Sequence, residues 1–351
     1  MDLLINADAR QIPLADCSVN CIVTSPPYYG LRDYGTARWE GGDPDCDHKI
    51  NDRFSNKSGL RDSKNPKTIQ ENDWKGSYYK DICAKCGAVR IDDQIGLEQT
   101  PQEYVDNLVQ VFRECWRILK DDGTLWLNLG DSYACNMSRA SNNGRAGFGN
   151  PREGVFNRGG EGIKDKDLIG IPWMTAFALR ADGWYLRQDL IWAKSNPMPE
   201  SVKDRCTKAH EYIFLLSKSP NYYYDYEAIK EPVSNMGKPR AFSKPGNKDR
   251  NDVGRIYNPS ETHNKRSVWT VSVKPYRGTH FATYPPKLIE PCILAGCPMG
   301  GIVFDPFVGS GTTVAVANSL GRMGIGIDLN YNYLLLARKR IERVQLPLLL
   351  V

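Results

Sequence analysis

Thr24-Ser25-Pro26-Pro27-Tyr28-Tyr29-Gly30 concentrates residues able to grip a small planar group. A short apolar run, Val19-Asn20-Cys21-Ile22-Val23, precedes it and reads as a buried strand, which the two prolines end abruptly. Neither proline has a backbone N–H to give, so the carbonyls of Ser25 and Pro26 must find other donors. A hydroxyl, carbonyls in want of donors and an aromatic pair at a strand end suit a planar ligand that bears an NH2 group. A proline-rich turn without a ligand would carry the same four residues, SPPY, so the remainder of the chain has to decide.

A second pattern lies far along the chain. The strand Ile302-Val303-Phe304 enters Asp305-Pro306-Phe307-Val308-Gly309-Ser310-Gly311-Thr312-Thr313, and helical Val314-Ala315-Val316-Ala317 follows. The helix ends at Gly321, and Gly324-Ile325-Gly326-Ile327-Asp328 reads as a second strand ending in an acid. In such a unit the glycines admit a ligand close to the backbone, and the second acid commonly binds ribose hydroxyls. The turn lacks the lysine of a Walker loop and the third glycine of G-x-G-x-x-G. Asp305 at its start would repel a pyrophosphate and suits a cation. S-adenosylmethionine carries an amino group and a sulfonium and has no phosphate, so it fits. Asp8, just past the short apolar run Leu3-Leu4-Ile5, either accepts a hydrogen bond from a ligand or caps a turn.

Metal chemistry is suggested at a third place. Residues 36–100 are polar and poor in periodicity, as functional insertions and disordered loops are. Within them lie Cys46-x-His48 and Cys83-x-x-Cys86-Gly87. The second pair has the spacing of a zinc knuckle, and the four side chains offer three sulfurs and one imidazole, enough for a closed structural site. A metal would also stabilise a segment with few apolar residues. Unrelated thiols in a loop are the plainer alternative.

The elements that must position these groups alternate between helix and strand. Thr100-Pro101-Gln102-Glu103 starts a helix as a capping box, and Asp121-Asp122-Gly123 stops it. A buried strand, Thr124-Leu125-Trp126-Leu127-Asn128-Leu129, comes next. Residues 134–165, with Arg139, Arg145, Arg152 and Arg158, read as a mobile loop able to order on a phosphate backbone. A helix from Ile171 to Leu179, strands at 184–192 and 210–216, and a helix after Tyr284-Pro285-Pro286 complete an α/β pattern. Residues 221–278 hold eleven Lys plus Arg against six Asp plus Glu, a surplus equal to the whole chain's net charge of +5. Tyrosines at 222, 223, 224 and 226 interleave with those charges, which suits nucleic acid, although a tyrosine-rich strand edge fits equally.

Size and composition bound the rest. The 351 residues, 41% hydrophobic and 25% charged, describe a globular protein of one large domain with insertions or of two domains. No apolar run reaches the roughly 18 residues of a membrane span, and the N-terminus lacks the pattern of a signal peptide, so the cytoplasm is the expected compartment. Cys17, Cys21, Cys115, Cys206 and Cys297 read as small buried hydrophobes or inert thiols.

Taken together, Asp305-Pro306-Phe307-Val308-Gly309-Ser310-Gly311-Thr312-Thr313 and Thr24-Ser25-Pro26-Pro27-Tyr28 resemble the signature motifs of DNA amino-methyltransferases, which methylate N4 of cytosine or N6 of adenine. The order, catalytic motif first and cofactor motif near the C-terminus, resembles the permuted β class of that family. The likeness extends to Asp8-Ala9 and to residues 126–133, 187–211 and 280–288. It implies an α/β fold: a circularly permuted, Rossmann-like S-adenosylmethionine-dependent methyltransferase fold with a target-recognition region, here joined by the insertion with its zinc ligands. The expected division is 1–35 with the SPPY motif, 36–100 as insertion, 101–220 as more of the catalytic domain, 221–279 as target recognition and 280–351 as the cofactor part.

The resemblance also implies roles. Phe304, Asp305, Pro306, Gly309, Gly311 and Thr312 form the cofactor turn around the methionine part, lined further by Thr283 and Pro285. Asp328 holds the ribose hydroxyls, and Asp8-Ala9 the adenine end. Ser25, Pro26, Pro27 and Tyr28 are the catalytic set, and Ser25 favours N4 of cytosine because adenine enzymes of the family more often carry Asp or Asn there. The implied partners are double-stranded DNA and, as a candidate, a second copy of the chain; no membrane is involved. N6-adenine methylation, or DNA binding without catalysis, is the alternative reading. Cytosine C5 chemistry needs a Pro-Cys nucleophile, and Pro291-Cys292 lies in an apolar helix where a buried thiol is expected instead.

Overall fold

Strands from both ends of the chain meet in the middle of one sheet. The computed structural model describes residues 3–31, 34–49, 82–134, 162–233, 240–241, 256–257, 262–273 and 284–345. In chain order its first elements are β1 (Leu3–Asn6), β2 (Val19–Thr24), β3 (Arg38–Glu40), β4 (Val89–Ile91), α1 (Pro101–Ile118) and β5 (Leu119–Leu129). Then come α2 (Ile171–Ala181), β6 (Tyr185–Ala193), β7 (His210–Ser217), β8 (Glu231–Pro232), β9 (Arg240–Ala241), β10 (Ile256–Tyr257), β11 (Thr262–His263) and β12 (Val268–Thr270). The last are α3 (Pro286–Gly296), β13 (Ile302–Asp305), α4 (Thr312–Ser319), β14 (Met323–Asp328) and α5 (Tyr331–Gln345). They fall into two compact units, Met1–Pro26 with Val105–Asp131 and Gly170–Val351, and Pro27–Tyr104 with Ser132–Ile169.

The first unit holds an eight-stranded sheet in the order β1-β14-β13-β2-β5-β7-β6-β12. Every neighbouring pair is parallel except those made by β7, which runs against both β5 and β6. From β13 the chain proceeds to β14 on one side, and from β2 to β5 on the other. Strand order therefore reverses between β13 and β2, where the carboxyl ends of parallel strands open a crevice. The register Val303↔Cys21 and Phe304↔Ile22 joins the two signature stretches at that reversal. This is the permutation in structural terms, since the strand that the cofactor motif follows sits beside the strand that SPPY follows.

Central strands buried on both faces need mostly apolar sequence, and β2 and the 124–129 half of β5 have it. Trp126 on β5 joins Cys21, Trp192, Ile213, Trp269, Leu288 and Ile293 in one core cluster. Leu3-Leu4-Ile5, an apolar run that reads as a buried strand, instead forms the edge strand β1, partly exposed along its length, because β14 alone pairs with it. Asp121-Asp122-Gly123 also differs. Helix α1 already ends at Ile118, and the three residues form an irregularity within β5, where the register steps from Val19↔Leu119 to Cys21↔Thr124.

The sequence reading places no helix after Asp328, yet α5 is there. It buries Leu334, Ala337 and Ile341, spaced three and four apart, alongside Val308, Val314 and Ala315. Gly311 explains how closely α5 can lie. Its φ is +80°, and a Cβ there would stand 2.8 Å from the Ala337 Cβ, so this glycine serves the approach of a helix.

In the second unit β3 and β4 pair antiparallel, with Trp39 opposite Arg90. The expected capping box is present at its C-terminal edge: Thr100 Oγ1 accepts the Glu103 N–H at 3.2 Å and a Glu103 carboxylate oxygen accepts the Thr100 N–H at 3.2 Å. Among the thiols, Cys21, Cys115 and Cys297 are buried as expected, whereas Cys17 and Cys206 are exposed because both lie in loops outside the sheet. Thr283, the four loop arginines and most of the basic segment lie outside the described residues. No helix among the described residues is long and apolar enough to cross a membrane.

Candidate active site

At the strand-order reversal a single carboxylate gathers both signature stretches. Asp305 ends β13 and is 2% exposed. It accepts hydrogen bonds from Thr24 Oγ1 at the end of β2 (2.6 Å), from the Phe307 N–H (3.0 Å), from the Tyr284 hydroxyl (3.1 Å) and from Thr313 Oγ1 at the start of α4. Burial pushes its carboxyl pKa up, and the Thr24 and Thr313 hydroxyls oppose that shift. The acid expected to face a cationic ligand thus has its oxygens occupied by internal donors. Sequence alone gives Thr24 and Tyr284 no role. Thr313 stands eight residues after Asp305, a helical-start hydroxyl that the turn itself points to, whereas Tyr284 carries no local signal.

Beyond Asp305 the turn folds back onto the end of β14. The Gly309 N–H donates to Asp328 Oδ2 at 2.9 Å, and the Asn330 N–H to Oδ1 at 2.8 Å. Burial outweighs those donors and raises the Asp328 carboxyl to about 6. Phe304 and Pro306 are buried, and Pro285 is the extended residue that precedes α3. Thr312 turns its hydroxyl to Arg340 of α5, at 2.7 Å. Asp8 lies just past the end of β1, as expected, and is bridged by the Arg10 guanidinium through Nε (3.0 Å) and Nη2 (2.6 Å). Its Oδ1 also accepts the Arg10 N–H at 2.9 Å, so the turn role is realised; Ala9 beside it is buried.

The Ser25-Pro26 end is held by a polar relay to which the sequence alone gives no role. Ser25 Oγ accepts from Asn128 Nδ2 at 3.4 Å, and the same nitrogen donates to Glu211 Oε2 at 3.0 Å. The other Glu211 oxygen is ion-paired with Lys194. Asn128 is 4% exposed, and a polar residue within Trp126-Leu127-Asn128-Leu129 is the signal that marks it. Among the described residues no donor pairs with the Pro26 carbonyl. Asp131, at the end of β5, accepts the Gly170 and Ile171 N–H groups and so caps α2. Cys292 is 1% exposed inside α3 with its thiol pKa pushed far up by burial, which removes the C5 nucleophile.

Pro27 and Tyr28 belong to the second unit. The Tyr104 hydroxyl donates to the Pro27 carbonyl at 2.8 Å, and the Gly30 N–H to the Gly96 carbonyl at 2.9 Å. Gly96 has φ +103°, and a Cβ there would stand 3.1 Å from the Tyr28 carbonyl oxygen. The same unit brings the four expected metal ligands together: one ligand atom each from Cys46, His48, Cys83 and Cys86 lies within 4.8 Å of all the others. The Ala88 N–H helps hold the Cys86 thiol down at about 6.

Comparison with known proteins shows the family. The family model described as DNA methylase, covering N6 and N4 enzymes, matches residues 19–339. The type II methyltransferase M.SmaI of Serratia marcescens is 41% identical over 347 residues, covering 97% of this chain and 90% of its own. The cytosine-N4-specific PvuII DNA methyltransferase shares the fold, with a TM-score of 0.54 at 15% identity over 97% of this chain and 89% of its own. A protein of Thermus thermophilus, provisionally assigned as a DNA modification methylase and complexed with S-adenosyl-L-methionine, does so with a TM-score of 0.52 at 19% identity, over 98% and 94%.

The Asp305 cluster makes a stability prediction. Thr24→Val keeps the shape of β2 but leaves a buried carboxylate oxygen short of its 2.6 Å donor. Urea denaturation should show a loss of about 1–3 kcal/mol. Stability equal to wild type would mean that the cluster does not hold the two strands together.

Proposed function

This chain belongs to the N6/N4 family of DNA methylases and is a DNA amino-methyltransferase; from that premise we propose that it transfers the methyl group of S-adenosylmethionine to the exocyclic N4 of cytosine in duplex DNA. The observation that carries the reading is the bond between Thr24 and Asp305. It sets the residues that can grip an amine, Ser25 and Pro26, at the strand next to the turn that suits a cationic cofactor.

The donor set fits that cofactor. The turn presents no lysine for a phosphate, and Asp328 offers a partly exposed carboxylate for ribose hydroxyls. Gly309, at positive φ, would shape the backbone around it, and Asp8, besides holding Arg10, would accept from the adenine amino group. When bound, S-adenosylmethionine supplies an electrophilic methyl group on a sulfonium.

The chain's own residues prepare the acceptor nitrogen. An exocyclic amine of a base is a poor nucleophile because its lone pair is delocalised into the ring. Ser25 Oγ, held by Asn128, would accept one amine N–H, and the Pro26 carbonyl would accept the second. Those two acceptors would localise the lone pair on nitrogen for in-line attack on the sulfonium methyl. The N–C bond forms as the C–S bond breaks, a neutral thioether leaves, one amine proton passes to water, and no covalent enzyme intermediate is needed. Holding both reactants in one crevice removes much of the entropic barrier. Tyr28 provides a ring for a base rotated out of the duplex, which offsets part of an unstacking cost of about a few kcal/mol. The basic segment 221–279 reads the target, and Ser25 favours cytosine over adenine. A restriction–modification system in the cytoplasm is the setting this reading implies.

Ser25→Ala should bind cofactor as the wild type does but transfer labelled methyl to mixed-sequence duplex DNA about 10- to 100-fold more slowly, the loss of one hydrogen bond to the reacting amine. Unchanged turnover would refute the role of Ser25. Asp328 makes a pH prediction. Its folded pKa is raised to about 6, and ribose hydroxyls donate to the ionised form. Cofactor affinity is therefore full above that pH and falls as the pH drops through it, by up to about tenfold per unit. Calorimetric titration should show this step in the wild type and lose it in Asp328→Asn; a flat wild-type profile would exclude Asp328 as the ribose ligand.

A further inference from the structure

The cysteine–histidine cluster of the second unit is used by none of the chemistry above, and two of its ligand-pair distances match a tetrahedral coordination shell. With Zn–S near 2.3 Å and Zn–N near 2.05 Å, tetrahedral ligands stand about 3.8 Å apart for two sulfurs and about 3.6 Å for sulfur and nitrogen. Here Cys46 Sγ lies 3.8 Å from Cys83 Sγ, and Cys86 Sγ lies 3.5 Å from His48 Nδ1. A disulfide would instead bring two of the sulfurs to about 2 Å.

The backbone is shaped to match. The Gly87 N–H donates to the Cys83 carbonyl and the Cys83 N–H to the Ala88 carbonyl, both at 2.8 Å, with Gly87 at φ +75°. That is the tight return a Cys-x-x-Cys-Gly knuckle needs. The His48 ring stacks on Trp39, centroids 4.3 Å apart, which fixes the direction of its nitrogens. Lys85 and Asp47 pair across the cluster at 2.8 Å.

We propose that Cys46, His48, Cys83 and Cys86 bind one structural zinc ion. Four protein ligands close the tetrahedron, so no position is left for water or substrate, and the ion does not take part in methyl transfer. It clasps two segments far apart in sequence, the Cys46–Cys83 pair being separated by 37 residues. From the clasp the same two segments run together through the β3–β4 pair, the bond between Thr36 and Asp92, the bond between Tyr34 and Gln94, and the Gly30–Gly96 contact beside Tyr28. The buried apolar residues described in this unit are few, among them Tyr29, Ala88, Ile95 and Tyr104, and metal binding adds folding free energy where a small core supplies little. The zinc therefore stabilises the ladder that carries Tyr28, whichever base is methylated.

The test is metal analysis of the full-length protein purified under reducing conditions without added metal. About one zinc per chain is expected, released into a chromogenic chelator as a mercurial titrates the thiols. Cys83→Ser and His48→Ala should each retain less than about a tenth of it, and the exposed Cys206→Ser all of it. Replacement by Co2+ in the wild type should give the intense visible bands of a tetrahedral thiolate site, a readout that does not depend on how the variants fold. A wild-type protein that takes up neither zinc nor Co2+, zinc retained in Cys83→Ser, or a Cys46–Cys83 disulfide under these conditions would each overturn the proposal.

Discussion

The buried Asp305 carboxylate is the interaction on which the remaining site geometry rests. A carboxyl group at 2% exposure is tolerated only when donors replace the water it has lost, and four are in place. Each comes from a different piece of the site: Thr24 immediately precedes Ser25, Phe307 lies in the turn, Thr313 opens α4 and Tyr284 leads into α3. The acid thus locks together the elements that carry both signature stretches. The requirement that all four donors converge fixes how β2 and β13 end relative to each other, although Thr24 and Asp305 are 281 residues apart in sequence.

The acceptor end depends on the one strand that runs the other way. Because β7 is antiparallel to β5, its first residues reach the edge where the other strands have their last. The register Asn128↔Ile213 then sets Glu211 within reach of the Asn128 amide. Glu211, tied to Lys194, restrains Asn128, and Asn128 orients Ser25. Side chains thus reach the serine from the sheet itself, which holds its oxygen more firmly than a loop could.

What sequence reveals and what it hides divide along a physical line. Local chemistry is legible: two prolines after an apolar run, a glycine turn between strand and acid, a capping box before α1, a knuckle spacing of cysteines. Each is encoded within a few residues, because backbone conformation at those points depends on the residue itself. Contacts set by strand register are not legible. Neither the Tyr284–Asp305 bond nor the Asn128–Glu211 bond follows from spacing, since both need the order and direction of strands in a finished sheet. Asp121-Asp122-Gly123 has the composition of a helix stop, yet pairing with β2 draws it into a strand irregularity. Gly311 reads as a ligand-facing glycine, and the structure gives its open face to Ala337. Helix α5 is legible in principle, through Leu334, Ala337 and Ile341 at helical spacing.

The role proposed for the crevice between β13 and β2 is delivery of a methyl group to the exocyclic amine of cytosine. Duplex DNA of mixed sequence, incubated with the protein and S-adenosylmethionine, can be digested to nucleosides and resolved by mass spectrometry. N4-methylcytosine is expected as the one new nucleoside. N6-methyladenine in its place would contradict the base assignment drawn from Ser25, and 5-methylcytosine or no product at all would contradict the site.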